Sequence, residues 1–482
     1  MVRIRGARAG LGRGDGWFEK KELIGGYEDK VRIRWFRVVV GFDLSLQIPR
    51  PVAFCRKFSI LPEFSLYFGG PMLQPEQFET DTKLPTFLLP VLDLEICGLN
   101  IGPIEIPVSY DGNWRPLLHL EGFLPIVRIV EKNGLANSNV SIKLTENGDS
   151  ALINLTRLTY SSDQEKIKLE ARLKQEPLVI RYTDLAVGFR AVLLSSPEFY
   201  NTPTILRDAN STEFEISFSK QSSSALRFIS SNLRFTAESP LEPLQTLMDF
   251  LTFTKGGYCG LGNLAAYDVN KAIAFHLLGF TRNDSGEPKT NWFDIEIRGG
   301  LPGIFLMFSK AMTDCTTKRA LRQAINFYRA SNASREVSVE MSIIASHSGL
   351  EAIVNYILMT RAGWSEKLAE NRSITFSDRL RAAAAYFGLH SDILAHSPTL
   401  SALSRSRNNI DEFEIISFIR NKLVHQDPKY LPTGIQLHEA WLVAQWLIEI
   451  LVFGVIGYRG QIIDRRVYSG WRGTTCQIPF RS

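Results

Sequence analysis

The chain has 482 residues, 45% hydrophobic and 22% charged, a composition that excludes disorder of the whole and leaves room for two or three domains. Its 55 basic against 50 acidic residues give a net charge of +5, which permits a polyanionic partner without requiring one. Five cysteines, Cys55, Cys97, Cys259, Cys315 and Cys476, are odd in number, far apart and without a C-x-x-C pair. That pattern speaks against a disulfide framework or a structural zinc site, and for reduced thiols in a cytoplasmic protein.

Residues 1–28 are mildly basic and carry several glycines, and are read as a flexible tail; no apolar core of a secretory leader lies in the first 16 residues. From Val31 the chain turns to short apolar runs broken by Pro, Gly and Asn: VRIRWFRVVVGF, FSLYFGG, TFLLPVLDLEICGL and NGDSALINLTRLTY. Period-two alternation is clear in VSIKL (Val140–Leu144), IKLEARL (Ile167–Leu173) and FEISFS (Phe214–Ser219), the pattern of half-buried strands. PLEPLQTLMDFLTFTKGG interrupts with apolar side chains at helical spacing and a Gly256-Gly257 stop. Strands are expected to resume in AIAFHLLGF and WFDIEIRGG.

After Pro302 the composition shifts to helix formers. Thr317–Tyr328, Val337–Thr360, Ser377–Phe387, Asp411–Gln426 and Thr433–Val455 each carry a helical apolar period, with a long connection around Ser397–Asn409. The expected architecture is α+β: a β-rich N-terminal domain over 29–310, then an all-α bundle with a basic C-terminal tail over 316–482, divided near 305–316. Ala440–Tyr458 is apolar enough to suggest a membrane span, but Glu449 interrupts it. Neither uncharged half reaches the ~20 residues that a span needs, so it reads as the central helix of a bundle, with no membrane involved.

Chemistry concentrates in FEIISFIRNKLVHQDPKYLPTG. Phe413, Ile416, Ile419 and Leu423 give a buried face, and Pro428 ends the helix near His425 or Gln426. Asn421 and His425 are four apart and share a helix face. Arg420, five before the histidine, lies roughly 140° round the axis from it. One regular helix therefore does not aim both groups at one small ligand. They converge if the guanidinium reaches round, if the last turn is distorted, or if two copies of the helix meet across a symmetry axis. An imidazole exchanges protons near neutrality and a guanidinium holds phosphate in a fork; the pair suits metal-free cleavage of RNA through its own 2′-hydroxyl.

RNKLVH, Arg420 to His425, resembles the R-x(4–6)-H motif of the HEPN superfamily, including the polar residue after the arginine. SGLEAIVNYIL (Ser348–Leu358) is similar to that family's long earlier helix, and the nearest likeness is to Apea-like HEPN proteins of abortive phage infection, in which a β-rich domain precedes the bundle. The resemblance implies a metal-independent endoribonuclease without cofactor, a toxin-like effector in phage defence, acting on RNA and not DNA. It implies His425 as acid or base, Arg420 as the phosphate-binding group, Asn421 as hydrogen-bonding support, and a homodimer with two motifs face to face. The β-rich part would then sense or regulate. A non-catalytic HEPN module for RNA binding or dimerisation is the alternative.

Other features are weaker. Glu351, on an apolar helical stripe, is either a surface carboxylate or a partner for Arg420. Gly257-Tyr-Cys-Gly260-Leu-Gly262 follows a helix instead of a strand and so lacks the context of a dinucleotide loop. His119, His276, His347, His390, His396 and His438 form no pair at metal-ligand spacing, and no metal site is expected. His390 and His396 read as solvated. Arg459, Arg465, Arg466, Arg472 and Arg481, interleaved with Tyr458, Tyr468 and Trp471, make either a solvated basic strand pair or a track for an RNA backbone.

Overall fold

The computed structural model of the protein describes four short strands between Glu19 and Asp43 and, from Phe87 to Arg481, most residues apart from segments such as 121–131, 281–290 and 426–429. The chain divides into two compact units, Met1–Pro62 and Glu63–Ser482. In the first, Glu19–Ile24 pairs antiparallel with Tyr27–Arg32, and Phe36–Val38 with Gly41–Asp43. Most of 19–28, read from sequence as part of a flexible tail, is thus strand; residues 1–18, like FSLYFGG, lie outside the described residues.

The second unit mixes sheet and helix, and the fold is α+β. An eight-stranded antiparallel sheet takes the order Phe87–Val91, Ile104–Tyr110, Pro116–His119, Ile167–Leu173, Ser150–Tyr160, Val140–Lys143, Asp93–Ile96, Leu99–Ile101. A seven-stranded one takes the order Leu178–Arg181, Ile273–Phe280, Gly260–Tyr267, Gly188–Leu194, Ser223–Ile229, Glu213–Phe218, Thr204–Arg207. The alternating segments behave as their pattern dictates: Phe214 and Ile216 are buried, while Glu213 is exposed and Glu215 half-buried. WFDIEIRGG is a correction. Its described residues form no strand, because Asn291 and Asp294 accept hydrogen bonds from the amides of Phe293 (2.8 Å) and Glu296 (2.7 Å) and fold the segment into turns. Its Trp292 is fully buried between Phe253 (5.1 Å) and Phe453 (5.0 Å).

The helices are α1 (Gln245–Lys255), α2 (Gly300–Ala311), α3 (Cys315–Ser334), α4 (Val339–Tyr356), α5 (Glu366–Ala369), α6 (Phe376–Tyr386), α7 (Pro398–Ser406), α8 (Glu412–Val424) and α9 (Gly434–Ile456). A π-type turn, Ile357–Arg361, continues α4. The connection expected around Ser397–Asn409 instead holds α7, started by Pro398 at its first turn. One buried hydrophobic cluster runs from the seven-stranded sheet through α1 and α2 into α3, α4 and α9. The transition expected near 305–316 is therefore a change of secondary structure within a continuous core.

At the centre lies α9, started by a Thr433–Gln436 capping box and stopped by Gly457 at φ +78°. Its apolar residues go all the way round, and 89% of its most apolar stretch is buried within the unit. Gly349 lets α4 close on it, since a Cβ there would stand 3.0 Å from Ile448 and 3.2 Å from Phe327. Among the buried polar residues of α9, Glu439, Gln445 and Glu449, the wholly enclosed Glu449 accepts hydrogen bonds from Tyr328 Oη (2.5 Å) and Arg465 (3.0 Å). Burial pushes its carboxyl up to about 7, outweighing the pull of Arg465.

Arg465 is itself fully enclosed, and Arg466 pairs with Asp464 at 2.6 Å and stacks 3.6 Å over Trp446. These two arginines are corrected from a solvated or RNA-tracking stripe to anchors that pull the chain after α9 back onto the bundle. There Gln461–Ile462 and Cys476–Gln477 pair as the expected strand pair; Arg472 and Tyr468 lie outside the described residues.

Removing one partner of such a pair strands the other. Glu449→Gln, which leaves the guanidinium uncompensated, is expected to cost about 3–5 kcal/mol in denaturant unfolding. Arg465→Met leaves a carboxyl that can take up a proton instead. The folded-state value near 7 lies above the unfolded 4.5, so this group's contribution is full below the unfolded value and is lost as pH rises through the folded one. Without Arg465 that window moves higher. The stability deficit of Arg465→Met relative to the parent should thus grow between about pH 6 and 8; a deficit independent of pH contradicts the assignment.

Candidate functional site

Helix α8 carries RNKLVH. Asp411 starts it, its carboxylate accepting from the amides of Phe413 (3.1 Å) and Glu414 (2.8 Å) while also binding Arg381. Phe413, Ile415, Ile416 and Ile419 are buried, as the periodicity requires; Leu423 is half-buried. The helix ends at Val424, and His425 is its C-cap, its amide bonded to the Asn421 carbonyl at 2.9 Å. The turn from Asn421 to His425 is therefore regular, and both side chains are exposed on one face.

Arg420 is half-buried, and its terminal amine donates to Asn421 Oδ1 at 3.1 Å. That bond draws the guanidinium round the helix toward the face shared by Asn421 and His425. Lys422 is half-buried with its ammonium 5.2 Å over the Phe418 ring.

Beside Arg420 opens a cavity of about 970 Å³. Arg420 and Asn421 line it, together with Arg407 from the end of α7 and Phe418 and Tyr430 on a third wall; His425 does not. The α4 helix contributes His347 and Glu351, one turn apart. His347 is 4% exposed, packed 4.2 Å from Phe376, and its Nδ1 stands 3.5 Å from Glu351 Oε1, at the outer edge of hydrogen-bond distance. Neither ring nitrogen has a hydrogen bond of good geometry. His347, and then the more distant charges of Arg420 and Arg379, hold the Glu351 carboxyl below its ordinary range against partial desolvation.

Glu351 is half-exposed, and the sequence left open whether it was a surface carboxylate or a partner of Arg420. The structure sets it on the cavity wall within the electrostatic reach of Arg420. The other acid there, Glu414, is engaged by Arg381 at 3.6 Å.

Sequence reasoning did not single out His347. Its signal was the four-residue spacing to Glu351, which lies in the SGLEAIVNYIL segment that begins one residue after the histidine. Of the other histidines, His396 is exposed, as expected, and His390 lies outside the described residues. His276 is buried in the seven-stranded sheet, where desolvation lowers its pKa to about 4. The Gly257–Gly262 segment runs into the strand Gly260–Tyr267, and burial pushes the Cys259 thiol up to about 12, leaving it inert.

The family model described as the YopA C-terminal domain matches residues 314–476. That span covers α3 to α9 and the returning strand pair, and contains every cavity residue named above; this part of the chain is similar to that family. No curated protein matches the chain, and no solved structure does.

Because Asp411 both caps α8 and binds Arg381, Asp411→Ala should lower stability by about 1 kcal/mol and fray the start of the helix that carries the motif. Thermal melts of parent and variant check this, and an unchanged midpoint contradicts the capping role.

Proposed function

We propose that the chain is a metal-independent endoribonuclease of the HEPN type, cutting RNA by attack of its own 2′-hydroxyl on the adjacent phosphate. The observation that carries the reading is the Arg420–Asn421 hydrogen bond. It turns the guanidinium toward the helix face on which His425 stands exposed, and so offers a phosphate-binding fork and a proton-transfer group on one accessible surface. Arg420 binds the scissile phosphate and stabilises the charge that builds up on it. His425, exposed at the C-terminal end of the helix, exchanges protons with the 2′-hydroxyl or the leaving oxygen. Asn421 holds the guanidinium in place. The chemistry asked of these residues is proton transfer and charge stabilisation, which need no metal.

The α8 helices of two copies would approach across a two-fold axis, setting each His425 near the other copy's Arg420. In a cell such an enzyme would act as a toxin-like effector, as the abortive-infection likeness implies, under control of the β-rich region. The second reading, a non-catalytic module that binds RNA or dimerises, is favoured by one observation: within a single chain His425 does not line the cavity that holds Arg420.

Cleavage of a labelled RNA separates the two. The parent should cut in the presence of EDTA; activity lost to chelation and restored by Mg²⁺ or Mn²⁺ would falsify the metal-free mechanism. His425→Ala should reduce cleavage by about 10²–10⁴-fold with the melt unchanged, and Arg420→Ala by about 10²–10³-fold. Arg420→Lys should restore only part, since a point charge lacks the planar fork. His396→Ala, an exposed imidazole elsewhere, is the control. If His425→Ala cuts as well as the parent, the catalytic assignment is wrong. Sedimentation should show a dimer at micromolar concentration; an active monomer contradicts the two-fold arrangement.

A further inference from the structure

The cavity beside Arg420 carries chemistry that holding one phosphate leaves unused. We infer that it takes one unpaired guanine nucleotide of the substrate RNA, the base stacked on its aromatic wall and its Watson–Crick edge read by Glu351. This rests on the ribonuclease reading and names the specificity of the same site.

Three observations converge. The first is a stacking surface. The Phe418 and Tyr430 rings lie 5.3 Å apart, and the Arg407 guanidinium sits 4.0 Å over one and 4.9 Å over the other. Aromatic rings and a stacked guanidinium are the groups on which unpaired bases of RNA settle.

The second is charge. Arg381, Arg465 and Arg466 are each ion-paired, whereas among the described residues neither Arg407 nor Arg420 forms an ion pair with a carboxylate. Two guanidinium forks therefore face one cavity of about 970 Å³, which has room for a nucleotide and its flanking phosphates.

The third is the Glu351–His347 pair. A carboxylate offers only acceptors. Guanine alone presents two adjacent donors, N1–H and the 2-amino group, on its Watson–Crick edge; adenine, cytosine and uracil each set an acceptor beside the donor, against the carboxylate lone pairs. His347, 4% exposed and with neither ring nitrogen in a hydrogen bond of good geometry, holds its Nδ1 3.5 Å from Glu351 Oε1. A buried polar group left so is costly, and a base edge in the cavity supplies the missing partner.

The test reads binding in the full-length His425→Ala protein, so that no RNA is cut. Anisotropy is measured with labelled single-stranded RNAs identical except for G, A, C or U at one central position. The guanine RNA should bind about tenfold more tightly than the others, as a bidentate carboxylate contact implies. Adding Glu351→Gln, a half-exposed position where the amide fits without repacking, should shrink the difference to about twofold or less. Arg407→Ala should weaken all four RNAs together. Equal binding of the four RNAs, or a guanine preference that survives Glu351→Gln, overturns the inference. So does displacement of the RNA by low micromolar free guanosine monophosphate, which would make the ligand a free nucleotide. Cleavage by the parent without base preference sinks the pocket alone, and a guanine preference in a parent that never cuts sinks the ribonuclease reading alone.

Discussion

A single buried ion pair holds the second unit to one arrangement. Glu449 sits in the middle of an apolar helix where its charge has no solvent, and Arg465 answers it from beyond the helix end. Neither group is tolerable there alone. Tyr328 from α3 also donates to Glu449 at 2.5 Å, and Arg465 also donates to Gln445 of α9 at 3.2 Å. The pair thus fixes α3, α9 and the returning C-terminal segment against one another, and α4 closes on α9 over Gly349. Helices α4 and α8, which carry the candidate site, pack on this frame. An apolar cluster alone would allow α9 several rotations about its axis; a carboxylate that must meet a guanidinium and a phenol allows one.

That constraint also explains which parts of the fold were legible in the sequence. Alternation in FEISFS and IKLEARL, and the helical period of α3, α4, α6 and α8, reflect burial on one face, which a single chain records directly; α9 is legible instead from its nearly unbroken apolar run. Segments set by local turn chemistry or by distant partners were not recorded that way. WFDIEIRGG has an apolar alternation, yet Asn291 and Asp294 fold it into turns under Trp292. Arg465 and Arg466 look solvated until Glu449, Asp464 and Trp446 are placed around them. The α7 helix is only nine residues long and buries two apolar side chains, Leu400 and Leu403, too short a stripe to stand out over Pro398–Ser406.

The candidate site divides in the same way. Arg420, Asn421 and His425 were readable because they share one helix, whose end Pro428 announces. The roughly 140° between Arg420 and His425 was readable too, and the bond from Arg420 to Asn421 shows how the side chain makes up part of that angle. What sequence could not give was the opposite wall. His347 and Glu351 stand about seventy residues upstream, and only the packing of α4 against α8 brings them to Arg420; Arg407, Phe418 and Tyr430 join for the same reason. The cavity is thus a tertiary property even where each contributor had a local signature.

The central claim is that Arg420 and His425 act together, one from each copy. Mixing Arg420→Ala and His425→Ala proteins, each inactive alone, tests it most directly. In a mixed dimer one site combines the two lesions and the other is intact, so RNA cleavage should return, approaching half the parental rate per mixed dimer and about a quarter over the whole equimolar mixture, in which half of the dimers are mixed at full exchange. A mixture no more active than either variant by itself, under conditions where subunits demonstrably exchange, would contradict the shared site.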